Sequence, residues 1–261
     1  MVNFQTADRY GMEDLLRVME LLRAPGGCPW DRAQTHQSIR QNMLEEAYET
    51  AEAIDRGDMD NLKEELGDVL LQVVFHARMA QEAGCFDFSD VVDGVCKKLV
   101  FRHPHVFGET EAGDLEKSLH TWDAQKRAEK GQRTAADALD SVARALPALT
   151  RAGKLQDKAS KAGFDWREAG PALNKLSEEL EELRRAAQGD GDVQEELGDL
   201  LFAAVKAGRF LEADGELALH AACEKFIRRF RRVEQLAPAP LEELDVPGLE
   251  ALWAQAKAEE I

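Results

Sequence analysis

At 261 residues, 44% of them hydrophobic, the chain has apolar material for one large globular domain or two small ones with their own cores. Its 50 acidic and 33 basic residues leave a formal net charge of −17, which argues against general affinity for nucleic-acid polymers or membrane surfaces, since both need a basic footprint. Four cysteines with no CxxC pair do not make a disulfide scaffold, no run of eighteen apolar residues occurs, and Met1 to Thr6 shows no basic segment leading into an apolar one. The expected setting is a reducing cytoplasm.

Helical periodicity dominates and no stretch alternates as a strand, so the predicted fold class is all-α. Leu15, Leu16, Met19 and Leu22 recur at three- and four-residue steps, and Pro25-Gly26-Gly27 with Pro29 then marks a loop from Ala24 to Asp31. A stripe of Leu44, Ala47, Tyr48, Ala51 and Ile54 carries the acidic run Glu45-Glu46-Ala47-Tyr48-Glu49. After the turn signal Arg56-Gly57-Asp58 comes Glu65-Leu66-Gly67-Asp68, running into apolar sequence. Breaks follow at His103-Pro104-His105 and from Gly163 to Pro171. The acidic motif then returns as Glu178-Glu179-Leu180-Glu181-Glu182, the turn Gly189-Asp190-Gly191, and Glu196-Leu197-Gly198-Asp199. Pro238-Ala239-Pro240 is a stiff spacer before a last helix from about Leu249.

The repetition extends downstream. Cys96 to Arg102 aligns with Cys223 to Arg229, and Trp122 to Lys126 aligns with Trp253 to Lys257. Each half thus reads as two acidic helices, a Lys-x-x-x-Arg helix and a Trp-x-x-x-Lys helix. The expected organisation is two homologous modules, 1–130 and 163–261, joined by a helical connector over 131–162.

The spacing builds a site. Reversal at Gly57 places Glu49 and Glu65 each 8 residues from the turn, and Glu46 and Asp68 each 11. Reversal at Gly189 places Glu182 and Glu196 each 7 away, and Glu179 and Asp199 each 10. With about 1.5 Å of rise per residue, outgoing and returning carboxylates meet at equal heights. Like charges on one helical face repel, so two four-carboxylate clusters make sense around a cation. An oxygen-only set favours Mg²⁺, with Mn²⁺ as a substitute, and suggests phosphate chemistry. Glycine inside a helix costs about 1 kcal/mol relative to alanine, so Gly67 and Gly198 are expected to mark close backbone packing.

Lys225 and Arg229, with their counterparts Lys98 and Arg102, are one helical turn apart and read either as a phosphate clamp or as a charged face opposite Phe226, Ile227 and Phe230. Trp253 and Lys257 suit an indole stacked on a base with an ammonium near phosphate, or a tryptophan closing the core beside Leu249 and Leu252. His76, His103 and His105 read as loop or packing residues.

Taken together, Glu45-Glu46-x-x-Glu49 with Glu65-x-x-Asp68, Glu178-Glu179-x-x-Glu182 with Glu196-x-x-Asp199, Gly27-Cys28-Pro29-Trp30-Asp31 and Arg102-His103-Pro104-His105-Val106-Phe107 resemble the MazG family of nucleoside triphosphate pyrophosphohydrolases, in its two-module form. The resemblance implies an all-α NTP pyrophosphatase fold that forms bundles as a homodimer, and Mg²⁺-dependent cleavage of NTPs and dNTPs, fairly indifferent to the base, into nucleoside monophosphate and pyrophosphate. It implies metal ligands at Glu179, Glu182, Glu196 and Asp199, with first-module equivalents Glu46, Glu49, Glu65 and Asp68. Lys225 and Arg229 would hold phosphates, Trp253 and Lys257 would meet the nucleotide, and Lys126 would contribute. Asp192-Val193-Gln194-Glu195 departs from a family pattern that places a lysine there. Metal ions on the triphosphate would activate a water for attack at the α-phosphorus, with Glu178 or Glu182 taking the proton. The alternatives are a di-iron carboxylate bundle, which would want Glu-x-x-His, and a non-catalytic acidic helical adaptor.

Overall fold

The computed structural model describes residues 4–108 and 133–259. Every regular element among the described residues is helical, as the periodicity predicts. No helix among them is long and apolar enough to cross a membrane. The chain divides into two compact units, Met1–Lys126 and Arg127–Ile261.

The first unit contains α1 (Met12–Arg23), α2 (Pro29–Ala33), α3 (Arg40–Arg56), α4 (Met59–Glu82), α5 (Phe88–Arg102) and α6 (Pro104–Phe107). The predicted Ala24 to Asp31 loop gives up its end to α2, because Pro29 at a first helical position forfeits no hydrogen bond. Gly57, at φ +67°, ends α3 in the left-handed region, and the Asp58 N–H donates to the Ala53 carbonyl at 3.0 Å. The Asp58 carboxylate then accepts from the Asn61 N–H at 3.1 Å and starts α4. These two local devices produce the predicted reversal. Met19 of α1, Ile39, and Val74, Phe75 and Met79 of α4 form a core of large side chains. Arg23 closes it by donating to both carboxylate oxygens of Glu82 at 2.8–3.1 Å.

The second unit contains α7 (Ala135–Asp140), α8 (Ala148–Lys161), α9 (Ala169–Ala186), α10 (Val193–Phe210), α11 (Gly215–Leu236), a short 3-10 turn (Leu241–Glu243) and α12 (Val246–Ala258). The reversal between α9 and α10 uses Gly189 and Gly191, both at positive φ, and Asp192 caps α10 by accepting from the Gln194 N–H at 2.8 Å. Its buried apolar residues among those described are alanines and valines, among them Ala152, Ala172, Ala203, Val205 and Ala207. A Cβ built on Gly215 would lie 3.1 Å from Val205, so α11 approaches α10 closely there. The final helix starts three residues before the expected Leu249, because Asp245 caps it by accepting from the Gly248 N–H at 2.9 Å.

One expectation is overturned. A Cβ on Gly67 or Gly198 would meet nothing within 4 Å among the described residues outside its own helix backbone. Both glycines sit on an outward face, beside the exposed Leu66 and Leu197, and not against a packed backbone.

Candidate active site

The α9–α10 hairpin brings Glu179, Glu196 and Asp199 together, each offering one carboxylate oxygen within 4.8 Å of the others. Glu182, one turn beyond Glu179, stands outside this trio but within electrostatic reach. Burial first, then the charges of Glu182, Glu179 and Asp199, pushes the Glu196 carboxyl above its ordinary value. The α3–α4 hairpin does the same with Glu46, Glu49 and Glu65, leaving Asp68 just outside. There burial, followed by Asp68, Glu49 and Glu65, raises Glu46 against an opposing hydrogen bond from Gln72, and Glu65 is also raised by burial and then by Glu49 and Asp68. Each expected set of four is therefore gathered, with three of its members in mutual ligand range.

Oxygens this close repel unless a cation lies among them, and a set of carboxylates without nitrogen or sulfur fits a hard divalent ion. In the second unit a resident cation already answers part of the charge. Lys175 places Nζ 2.8 Å from Glu179 and 2.7 Å from Glu178, and these two bonds hold its ammonium above the usual lysine value. Glu179 is only 6% exposed, so the pairing satisfies a buried charge. Sequence reading missed Lys175. Its signal was the spacing Lys175-x-x-Glu178-Glu179, which reads as an ordinary helical ion pair. Glu178, bound to Lys175 and outside the trio, is the more exposed of the two candidate proton acceptors. Glu182 accepts from Arg185 at 3.2 Å.

A cleft of about 490 Å³ opens beside this trio, with Glu179, Asp199 and Lys175 in one wall and Leu155, Phe164, Trp166 and Phe202 in the others. The first unit has a different interior at the matching positions. Seven residues before the clustered glutamate, Ala172 of the cleft is replaced by Ile39; seven after the aspartate, Lys206 of the cleft is replaced by Phe75. Ile39 is 1% and Phe75 4% exposed, both in the first unit's core.

The basic and tryptophan residues form a separate constellation. The Arg229 guanidinium of α11 lies 6.0 Å over the Trp253 ring of α12, and the Phe226 ring is 5.2 Å from it. Trp253 and Lys257 line another groove, also of about 490 Å³, with Phe226, Phe230 and Leu249. Lys225 is exposed on α11. None of Lys225, Arg229, Trp253 and Lys257 lines the carboxylate cleft, so one chain does not bring the acidic and basic sets of the second unit into one pocket. In the first unit Lys98 is half-buried, and Arg102 is buried and already engaged. Lys126 and Trp122 lie outside the described residues. Of the histidines, His76 packs as expected, its Nδ1 2.8 Å from that of His36.

Comparison with known proteins identifies the family. The model of the MazG nucleotide pyrophosphohydrolase domain matches twice, over residues 34–107 and 171–235, so each match contains one carboxylate hairpin. The chain is 44% identical over 258 residues to a nucleoside triphosphate pyrophosphohydrolase of Escherichia coli, covering 96% of this chain and 98% of that one. It is also 44% identical over 248 residues to the nucleoside triphosphate pyrophosphohydrolase/pyrophosphatase MazG of Thermotoga maritima, covering 94% and 95%. A solved structure, a mazG-related protein from Thermotoga maritima, is 29% identical over 44% of this chain and 99% of that one, with a TM-score of 0.39. With two domain matches and near full-length identity to such relatives, this chain belongs to the MazG family.

Proposed function

We propose that this MazG-family enzyme hydrolyses nucleoside triphosphates, ribo- and deoxyribo- alike, to nucleoside monophosphate and pyrophosphate at the Glu179, Glu182, Glu196 and Asp199 cluster, using Mg²⁺. The observation that carries the reading is the carboxylate trio opening onto a nucleotide-sized cleft. When bound, the divalent ion would neutralise triphosphate charge and activate a water for attack at the α-phosphorus. Glu179, Glu196 and Asp199 would hold it, and Mn²⁺ would fit the same oxygen set.

The remaining steps belong to side chains. Glu182 stands beside the trio without joining it, which suits a group that takes the proton of the attacking water. Glu178, tied to Lys175, is the weaker candidate. Lys175 neutralises Glu179 and lies at the cleft wall, where it would also meet phosphate oxygens. Because Trp253 and Lys257 line a groove of their own, and Lys225 and Arg229 also lie off the carboxylate cleft, we assign their phosphate and nucleotide contacts to the site of a second copy in a homodimer. That arrangement accounts for exposed apolar side chains on the same helix, such as Leu217, Phe226 and Ile227.

The two units are read as two copies of one module with unequal duties. Glu46, Glu49, Glu65 and Asp68 repeat the ligand set, but Ile39 and Phe75 occupy the room that a nucleotide would need. The test of the main reading is to incubate the protein with Mg²⁺ and each NTP and resolve the products by phosphorus NMR. Monophosphate with pyrophosphate is expected; diphosphate with phosphate, or no turnover, overturns it.

A further inference from the structure

The α8–α9 connection ends α8 with Gly163 at φ +88°, the Gly163 N–H donating to the Ser160 carbonyl at 2.8 Å and the Phe164 N–H to the Ala159 carbonyl at 2.9 Å. This glycine-capped stop throws Phe164, Asp165 and Trp166 out of the helix. Asp165 then fastens the segment to α10, meeting Lys206 Nζ at 2.5 Å and Arg209 Nη1 at 3.3 Å. The Lys206 ammonium lies 5.6 Å over the Trp166 ring. Two aromatic rings are thereby held on a short, anchored segment. Phe164 remains 82% and Trp166 42% exposed, and both line the cleft that contains Glu179 and Asp199.

Holding a phenyl ring in water beside a metal-type carboxylate trio gains nothing for the unit's own packing. A planar apolar ligand would cover it, and the cleft's volume lies within the ~300–1,000 Å³ typical of small-molecule sites. We propose that this cleft seats the nucleobase, with Phe164 and Trp166 gripping its faces while the triphosphate reaches Glu179 and Asp199. The inference rests on the pyrophosphohydrolase reading and names the part of the substrate that the cleft takes.

Recognition through ring faces has a defined consequence for specificity. Every base has a π-face, so stacking admits all bases and ranks them by ring area. Purine triphosphates should lead pyrimidine ones severalfold in kcat/KM, without any base being refused. Loss of one stacking partner typically weakens binding roughly ten- to hundredfold.

The experiment compares ATP, GTP, CTP, UTP and abasic ribose 5′-triphosphate with the full-length wild type, Trp166→Ala, Phe164→Ala and Trp166→Phe. Both alanine variants should raise KM for all four nucleotides by about tenfold or more with kcat little changed, erase the purine lead, and leave the abasic substrate unaffected. Trp166→Phe should restore most of the loss. Unchanged KM values, or an equal loss on the abasic substrate, would overturn the base seat while leaving the pyrophosphohydrolase reading intact. Failure of the wild type to turn over any nucleotide would overturn both.

Discussion

Removing Lys175 should destabilise the second unit by an amount that depends on metal. In Lys175→Met the aliphatic stem is kept and the ammonium lost, leaving Glu179, 6% exposed, with the oxygens of Glu196 and Asp199 within 4.8 Å. Breaking a fully buried ion pair costs about 3–5 kcal/mol, and an exposed pair contributes about 0–1. The Lys175 side chain is 38% exposed and Glu179 buried, so the cost belongs between those limits, at about 1–2 kcal/mol. That corresponds to a midpoint drop of roughly 3–8 °C. A divalent ion among the carboxylates replaces the missing positive charge. Thermal unfolding followed by far-UV circular dichroism should therefore show the full loss in EDTA and less than about 0.5 kcal/mol in saturating Mg²⁺. Equal losses in both buffers would mean that Lys175 acts through its stem alone. No loss in EDTA would mean that the trio does not carry the mutual repulsion inferred for it.

Glu196→Ala should lower kcat/KM at least a hundredfold, and Glu65→Ala less than threefold, because Glu179 and Asp199 of the second unit's trio line a cleft while Ile39 and Phe75 pack into the core at the matching positions of the first; equal losses in a steady-state assay would refute this ranking. Asp165→Asn should flatten the acid limb of stability. Burial pushes the Asp165 carboxyl up, but Lys206, the Ser160 hydroxyl and the Trp166 N–H outweigh it and hold it at about 2. Since this folded value lies below the unfolded one near ~3.9, the stabilisation is complete above about pH 4 and disappears as pH falls through about 2. Its size is at most about 2.6 kcal/mol, read by urea unfolding from pH 5 to pH 2; a variant with the wild-type slope over that interval would contradict it. Substituting Ala for Gly57, whose φ is +67°, should cost about 1 kcal/mol through strain in the α3–α4 turn, checked by denaturant midpoint, whereas Gly67→Ala, inside α4 where the added Cβ meets nothing, should raise stability by up to about 1 kcal/mol.

The carboxylate clusters were legible because their causes are local. Glu-x-x-Asp spacing, a left-handed glycine and a capping aspartate suffice to pair two helices at matched heights, and they do so twice. What was not legible arises between elements distant in sequence. Lys175 hides because a lysine three and four residues before glutamates is ordinary helix decoration; only the burial of Glu179 gives it weight. The cleft depends on alanines where the first unit has Ile39 and large neighbours, and on the anchoring of Asp165 to Lys206 across 41 positions. Gly67 and Gly198 misled because propensity records a cost without saying which face carries it. The basic pair on α11 and Trp253 on α12 read as members of the acidic site, since sequence order says nothing about which pocket a helix face lines.

The most direct test of the central claim is hydrolysis of a nucleoside triphosphate in ¹⁸O-water with Mg²⁺, with the label located by mass spectrometry. Attack at the α-phosphorus over the Glu179, Glu196 and Asp199 trio predicts one ¹⁸O in the nucleoside monophosphate and none in the pyrophosphate. Label in the pyrophosphate would place the attack at the β-phosphorus and contradict the account.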